Sequence, residues 1–190
     1  MPLDYSDPER SANFRDVGAF INLILGYRAL PENRLLRGGS IKHLVDLATI
    51  GNPATVLCLK NGADPAPSAL RALHHPRPNT SECYLTAGRD VKSWLRAIVR
   101  SLAEPNIAPP LYVHCHSGRD RTGVVVAALL SILKMPADAI MEEYMLSEGA
   151  DRVSISTAIA GFEGVDSYFP VQHSIAVRAL LGPHSDSQRS

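Results

Sequence analysis

A chain of 190 residues with 45% hydrophobic side chains is long enough to bury one sizeable core, and a single domain is expected over residues 1–182 with a disordered tail at 183–190. The 19 basic and 19 acidic side chains cancel, which excludes a bulk electrostatic pull toward nucleic acid or an anionic membrane, so anion recognition must be local. No apolar run reaches the roughly 20 residues of a membrane span, the first residues carry no signal pattern, and the three cysteines are too scattered for a disulfide framework or a metal pair. A soluble, cytoplasmic protein with reduced thiols, no cofactor and no metal is expected.

Residues 1–12 read as a loose lead-in, with Pro2 and Pro8 discouraging regular structure. Asn13, Arg15 and Asp16 then crowd into a polar cluster beside Phe14 and Val17. The segments 27–30 and 34–37 flank Pro31-Glu32-Asn33 and predict a hairpin turn. Ser40 is placed to cap a short helix using Ile41, Leu44, Val45 and Leu47, closed by Gly51. Asn52-Pro53 turns the chain into ATVLCLK, short and β-branched enough for a buried strand.

Residues 64–88 are broken by Pro65, Pro67, Pro76 and Pro78 and read as a long irregular loop, a feature often functional in a compact domain. Val91, Trp94, Leu95, Ile98, Val99 and Leu102 then recur at helical spacing, and Pro105 lies beyond them. Pro109-Pro110 leads into a short apolar strand at 111–114, followed by a glycine-containing loop and an almost wholly apolar helix at 122–133. Further helices are predicted at 137–147, with Ile140, Met141, Tyr144 and Met145 inward and Gly149 beyond, and at 151–162 and 172–181. Alternating strands and helices predict an α/β fold with a central, mostly parallel sheet of about four to five strands.

The strand–loop–helix at 111–123, LYVHCHSGRDRTG, is the stretch on which chemistry converges. Backbone N–H groups of residues 116–121 can point at one centre, and the helix N-terminus adds positive potential there. Arg121 brings a planar fork of donors, and these fields favour the thiolate of Cys115. A lone cysteine at a strand end is more often core than nucleophile, but Gly118, Arg121 and Thr122 at these offsets set Cys115 apart.

The segment HCHSGRDRTG resembles the H-C-x5-R-[ST] loop of the cysteine-dependent phosphatases, the protein tyrosine phosphatase superfamily. It is similar in particular to bacterial tyrosine-phosphatase-like enzymes that pair an NFRDVGG element with an HC-x-x-GKDRTG loop. NFRDVGAF at 13–20, LLRGGSIKHL at 35–44 and EEYMLS at 142–147 are similar to that group's other landmarks. The resemblance implies a protein-tyrosine-phosphatase-like fold and hydrolysis of phosphate monoesters through a phosphocysteine. The implied substrate is phosphotyrosine in a protein, or a small phosphorylated nucleoside, sugar or inositol. The alternative is a phosphate-binding module that has kept the loop without turnover.

On that resemblance Cys115 attacks phosphorus, Arg121 and the loop amides hold its equatorial oxygens, and Thr122 stabilises the departing thiolate. His114 orients the loop, while His116, Ser117, Gly118, Arg119 and Lys60 face the substrate. Asn13, Arg15, Asp16 and Arg37 support the site, with a self-bonded turn or a surface charge as the plainer alternatives. The proton for the leaving group comes from Asp120, with Asp64 and Glu82 as competing candidates. Cys58, at the end of a strand that lies beside the nucleophile strand in this superfamily, is a candidate redox partner for Cys115, against the plainer reading of a small core residue.

Overall fold

The computed structural model describes residues 11–44, 46–64, 70–162 and 164–183. The first ten residues, most of the expected tail, and Val45, Pro65 and Pro67 lie outside the described residues. Five strands form one sheet among them: β1 (Arg15–Asp16), β2 (Leu35–Gly38), β3 (Thr55–Cys58), β4 (Arg71–His74) and β5 (Leu111–His114), in the order β1-β2-β5-β3-β4. Only the β1–β2 pair is antiparallel. Seven helices accompany it: α1 (Val17–Leu25), α2 (Arg89–Leu102), α3 (Asp120–Ile132), α4 (Ala137–Met145), α5 (Arg152–Ala160), α6 (Val165–Tyr168) and α7 (Val171–Leu181). None is long and apolar enough to cross a membrane.

The register fixes where a site can form. His114 of β5 lies opposite Gly38 of β2 and Cys58 of β3, so three parallel strands end side by side. In open α/β sheets ligands bind in the crevice beyond such carboxyl ends. β5 is buried along its whole length, as a central parallel strand covered on both faces must be. On one face Leu57, Leu111 and Val113 meet the apolar sides of α2, α3 and α7; on the other a smaller cluster gathers Phe14, Leu36, Ile41, Ile50, Val56 and Tyr112. Every residue of α3 from Arg121 to Ile132 is buried, which accounts for its apolar character all round.

The expected hairpin around Pro31-Glu32-Asn33 is not formed. β2 pairs with β1, and the intervening chain makes α1, a helix the apolar run VGAFINLIL does not advertise by any polar face. Asp16 caps it, accepting from the N–H groups of Gly18 at 2.9 Å and Ala19 at 3.3 Å, and Gly26 closes it at φ +74°. Residues 29 and 30 do not make a strand because the Asn22 side chain takes their N–H groups. The helix expected after Ser40 is also absent. Ser40 turns its hydroxyl to Asp64 at 2.6 Å, and Asp46 instead caps a 3₁₀ turn, Leu47–Ile50. Within the segment expected to be irregular, β4 adds an edge strand and Ser81–Tyr84 forms a second 3₁₀ turn. Leu73 is the buried residue of β4, too little apolar signal to announce a strand.

Candidate active site

The loop between β5 and α3 lies at the sheet's carboxyl edge, and its shape is imposed from outside. His116 O accepts from Ser40 N–H at 3.0 Å, Ser117 O from Asn13 Nδ2 at 2.8 Å, and Gly118 O from Arg37 Nη2 at 2.8 Å. A trans peptide points its N–H opposite to its C=O. Three carbonyls tied outward therefore turn the N–H groups of Ser117, Gly118 and Arg119 toward the concave side, an arrangement that favours an anion. Gly118 adopts φ +73°, and a Cβ there would stand 2.3 Å from the carbonyl carbon of Gly38, so only glycine lets the loop close on β2.

The ties rest on a buried ion cluster. Arg15 Nε and Arg37 Nη1 each reach Glu143 at 2.7 Å, one to each carboxylate oxygen. Arg15 also donates to Glu143 O and Ser147 Oγ, and Arg37 to Ser147 Oγ. Burial alone would push the Glu143 carboxyl up, but the two guanidiniums outweigh it and hold it below the ordinary value. Burial, with Arg37 nearby, lowers Arg15 to about 10, still fully charged at neutral pH. Asn13, Arg15 and Arg37 thus act on the loop directly or through Glu143, and none is a surface charge. Asp16 does not join them; it caps α1 and accepts from Asn33 N–H at 2.6 Å.

Cys115 is buried at the floor of the loop, in the same core as Val113 and Leu57. Arg121 Nη1 donates to Leu59 O at 3.3 Å and Arg77 O at 2.9 Å, and Nη2 to Asn79 Oδ1 at 3.0 Å. That leaves Arg121 Nε and Thr122 Oγ1 buried with no partner. Buried polar atoms are seldom left so, and both belong to the residues expected to meet phosphate and thiolate. His114 stacks on Tyr112, and its Nδ1 lies 3.4 Å from Cys115 O and 3.7 Å from Asp64. Burial lowers it to about 4, so it is neutral near pH 7 and can donate Nδ1–H to the loop carbonyl.

The remaining expected residues divide. His116 is exposed, on the loop. Lys60 is paired with Asp64 and lies 3.0 Å from Ser40 Oγ, anchoring the wall behind His114. Asp64 is buried there, accepting also from Ser40 and from Ile41 N–H at 2.9 Å, so it is a fixed brace and not a mobile acid. Glu82 lines a separate depression with Arg77, Leu85 and Arg89. Cys58 lies opposite His114, and strand alternation turns it to the Val56–Tyr112 face, whereas Cys115 belongs to the Leu57–Val113 face. Opposite faces remove the basis for Cys58 trapping an oxidised Cys115.

Beside the loop opens a polar cavity of about 390 Å³, lined among others by Asn79, Ser81, Tyr84, Asp120, Asp151 and Ser154. Arg119 crosses its wall and grips Asp120, Nε to Oδ1 at 2.9 Å and Nη2 to Oδ2 at 3.1 Å. Gly149, at φ +69°, makes room for this arginine; a Cβ would stand 2.5 Å from its Nη1. Burial acts to raise the Asp120 carboxyl, but the hydrogen bonds from Arg119 and Tyr84 prevail and hold it below the usual range. Asn79 and Tyr84 escaped the sequence reading, while Glu143 and Ser147 fell in the EEYMLS landmark without a role being assigned to either.

A family model described as "Tyrosine phosphatase family" matches residues 58–181. The chain belongs to the tyrosine phosphatase family. It is a cysteine-dependent phosphatase with an α/β fold built on a mostly parallel sheet. No curated protein matches its sequence. Among solved structures, this phosphatase is similar to TpbA from P. aeruginosa, with a TM-score of 0.52 at 20% identity over 72% of this chain and 84% of that one. It is likewise similar to the core catalytic domain of the PP-IP phosphatase SIW14 from S. cerevisiae in complex with citrate, with a TM-score of 0.52 at 13% identity over 84% of this chain and 96% of that one. At such identities the likeness is one of fold.

Proposed function

We propose that this phosphatase hydrolyses a small, polar phosphate monoester through a phosphocysteine at Cys115, with Asp120 as the general acid. The observation that carries this reading is the outward tying of the loop carbonyls after Cys115, which turns the loop's amides inward, together with the buried, unpaired Nε of Arg121. The dianion sits in the loop, and the Cys115 thiolate attacks phosphorus as the bond to the leaving oxygen breaks. Arg121 and the amides stabilise the equatorial oxygens, doing the work a cation does elsewhere. Asp120 gives its proton to the leaving oxygen. Water then attacks the phosphocysteine, Asp120 takes a proton back, and Thr122 donates to the thiolate as it departs.

The cavity beside the loop supports a polar leaving group, because hydroxyls, an amide and two carboxylates line it. A phosphorylated sugar, cyclitol or nucleoside can engage these polar groups through its own hydroxyls, whereas the phenyl ring of phosphotyrosine would meet only the Tyr84 and Tyr144 rings among the lining residues. Hydrolysis of p-nitrophenyl phosphate that is insensitive to chelator and abolished in Cys115→Ser tests the activity. Phosphate binding without any turnover would support a non-catalytic module instead. A panel of sugar, inositol and nucleoside phosphates against phosphotyrosine peptides tests the substrate class, and a preference for the peptides would overturn it.

A further inference from the structure

Asp120 carries an unexplained partner. Its Oδ1 accepts not only from Arg119 but also from the Tyr84 hydroxyl at 2.6 Å, and that hydroxyl lies 2.6 Å from the hydroxyl of Tyr144. The three groups come from three elements: the start of α3, the 3₁₀ turn Ser81–Tyr84, and α4. A carboxylate cannot donate, so Tyr84 must donate to Asp120 and hence accept from Tyr144. The chain has one direction, Tyr144 to Tyr84 to Asp120. Both phenols are pushed up, chiefly by burial, and stay protonated over any working pH. The two rings meet edge to face with centroids 6.3 Å apart, and a Cβ on Gly123 of α3 would stand 2.5 Å from Tyr144, so the pair is held in place by packing.

We propose that Tyr84, held by Tyr144, is a positioning residue for Asp120: by occupying Oδ1 as an acceptor it places the proton of the acid form on Oδ2. A carboxylic acid has one O–H, and the oxygen that accepts a strong hydrogen bond becomes its carbonyl end. The other bond to Oδ2 is the longer one from Arg119, at 3.1 Å, and the Arg119 side chain is 36% exposed, free to be drawn to the anionic substrate. Donation then moves one proton from Oδ2 to the leaving oxygen as the phosphorus–oxygen bond breaks. Asp120 is left as a carboxylate, which Tyr84 stabilises until the attacking water returns a proton. The other charged or titratable groups around Asp120 are Arg119 on the loop, Cys83 beside Tyr84, and Asp151 across the cavity.

The inference rests on Asp120 being the acid, so Asp120→Asn belongs in the same experiment as Tyr84→Phe and Tyr144→Phe. Each variant is assayed on p-nitrophenyl phosphate, whose leaving group hardly needs a proton, and on glycerol phosphate, whose leaving group does. The kcat–pH profile is recorded for both, with melting curves to show that the fold is kept. Asp120→Asn is expected to lose about 100-fold on glycerol phosphate and far less on p-nitrophenyl phosphate. Tyr84→Phe is expected to lose roughly tenfold on glycerol phosphate alone and to move the alkaline limb upward, since a donor to the carboxylate has gone. Tyr144→Phe should shift both in the same direction by less. Equal losses on the two substrates, or an unmoved limb, in Tyr84→Phe while Asp120→Asn remains selective would overturn the inference alone. No selectivity in Asp120→Asn would overturn the acid assignment and the inference with it.

Discussion

The phosphate loop is flanked by two arginine–carboxylate arrangements that differ in burial. On one flank Arg15 and Arg37 close on Glu143, all three buried, and Arg37 reaches on to the loop carbonyl of Gly118. On the other, Arg119 closes on Asp120 at the wall of an open cavity, both partly exposed. The chemistry of the pairs is the same, yet their energetics are not. A sealed cluster punishes the loss of any member, because the survivors are left as buried charges. An exposed pair is worth about 0–1 kcal/mol and can be exchanged for a substrate anion. Burial suits the first to scaffolding for the loop and leaves the second open to the working role proposed for it.

The largest effect expected from this contrast is on stability. Glu143→Gln strands two buried guanidiniums and should cost about 3–5 kcal/mol in chemical denaturation, whereas Asp120→Asn should cost under about 1 kcal/mol. Similar losses in the two variants would break the comparison. Activity should sort them the other way: Asp120→Asn, while still folded, should lose about 100-fold toward alkyl phosphates.

Acidity separates the flanks in sign. Glu143 is held below its ordinary value of 4.5, so its contribution to stability is complete above that value and is lost as pH falls through the folded value. Asp120 is also held low, but as the proposed general acid it would work in its protonated form, so kcat/KM toward alkyl phosphates should decline as pH rises through its value. Asp120 should therefore set an alkaline limb on turnover and Glu143 an acid limit on stability, as rate profiles and denaturation midpoints over one pH series would show. The smallest change sharpens the loop's part in this. Asn13→Ala removes the tie to Ser117 O and should cost roughly 0.5–1.5 kcal/mol, raising KM for p-nitrophenyl phosphate more than it lowers the melting temperature.

What could be read from the residues follows the same line of burial. β3, α2, β5, the loop and α3 were legible because apolar runs and periodicity are dictated by a core they must enter. α1 was not, since VGAFINLIL has no polar face to reveal a helical period, nor was β4, an edge strand with mostly exposed side chains. The Ser40 helix failed because a capping side chain took a tertiary partner, Asp64, in place of its own turn. In the site, Cys115, Arg121, Thr122 and Gly118 announced themselves through spacing within one loop. The Arg15–Arg37–Glu143 cluster spans |i−j| of 128 and 106, and Tyr84 meets Asp120 across 36 residues. Such pairings leave no local signature, so Arg15 and Arg37 could be suspected, but Glu143, inside the EEYMLS landmark, could not be matched to them.

The measurement closest to the central claim is a denaturing quench of the enzyme during turnover of p-nitrophenyl phosphate, followed by mass mapping of the peptide that carries Cys115. A phosphoryl group on Cys115 during turnover, absent together with hydrolysis in Cys115→Ser, is the predicted result. A phosphoryl group on another residue, or hydrolysis that persists in Cys115→Ser, would contradict it.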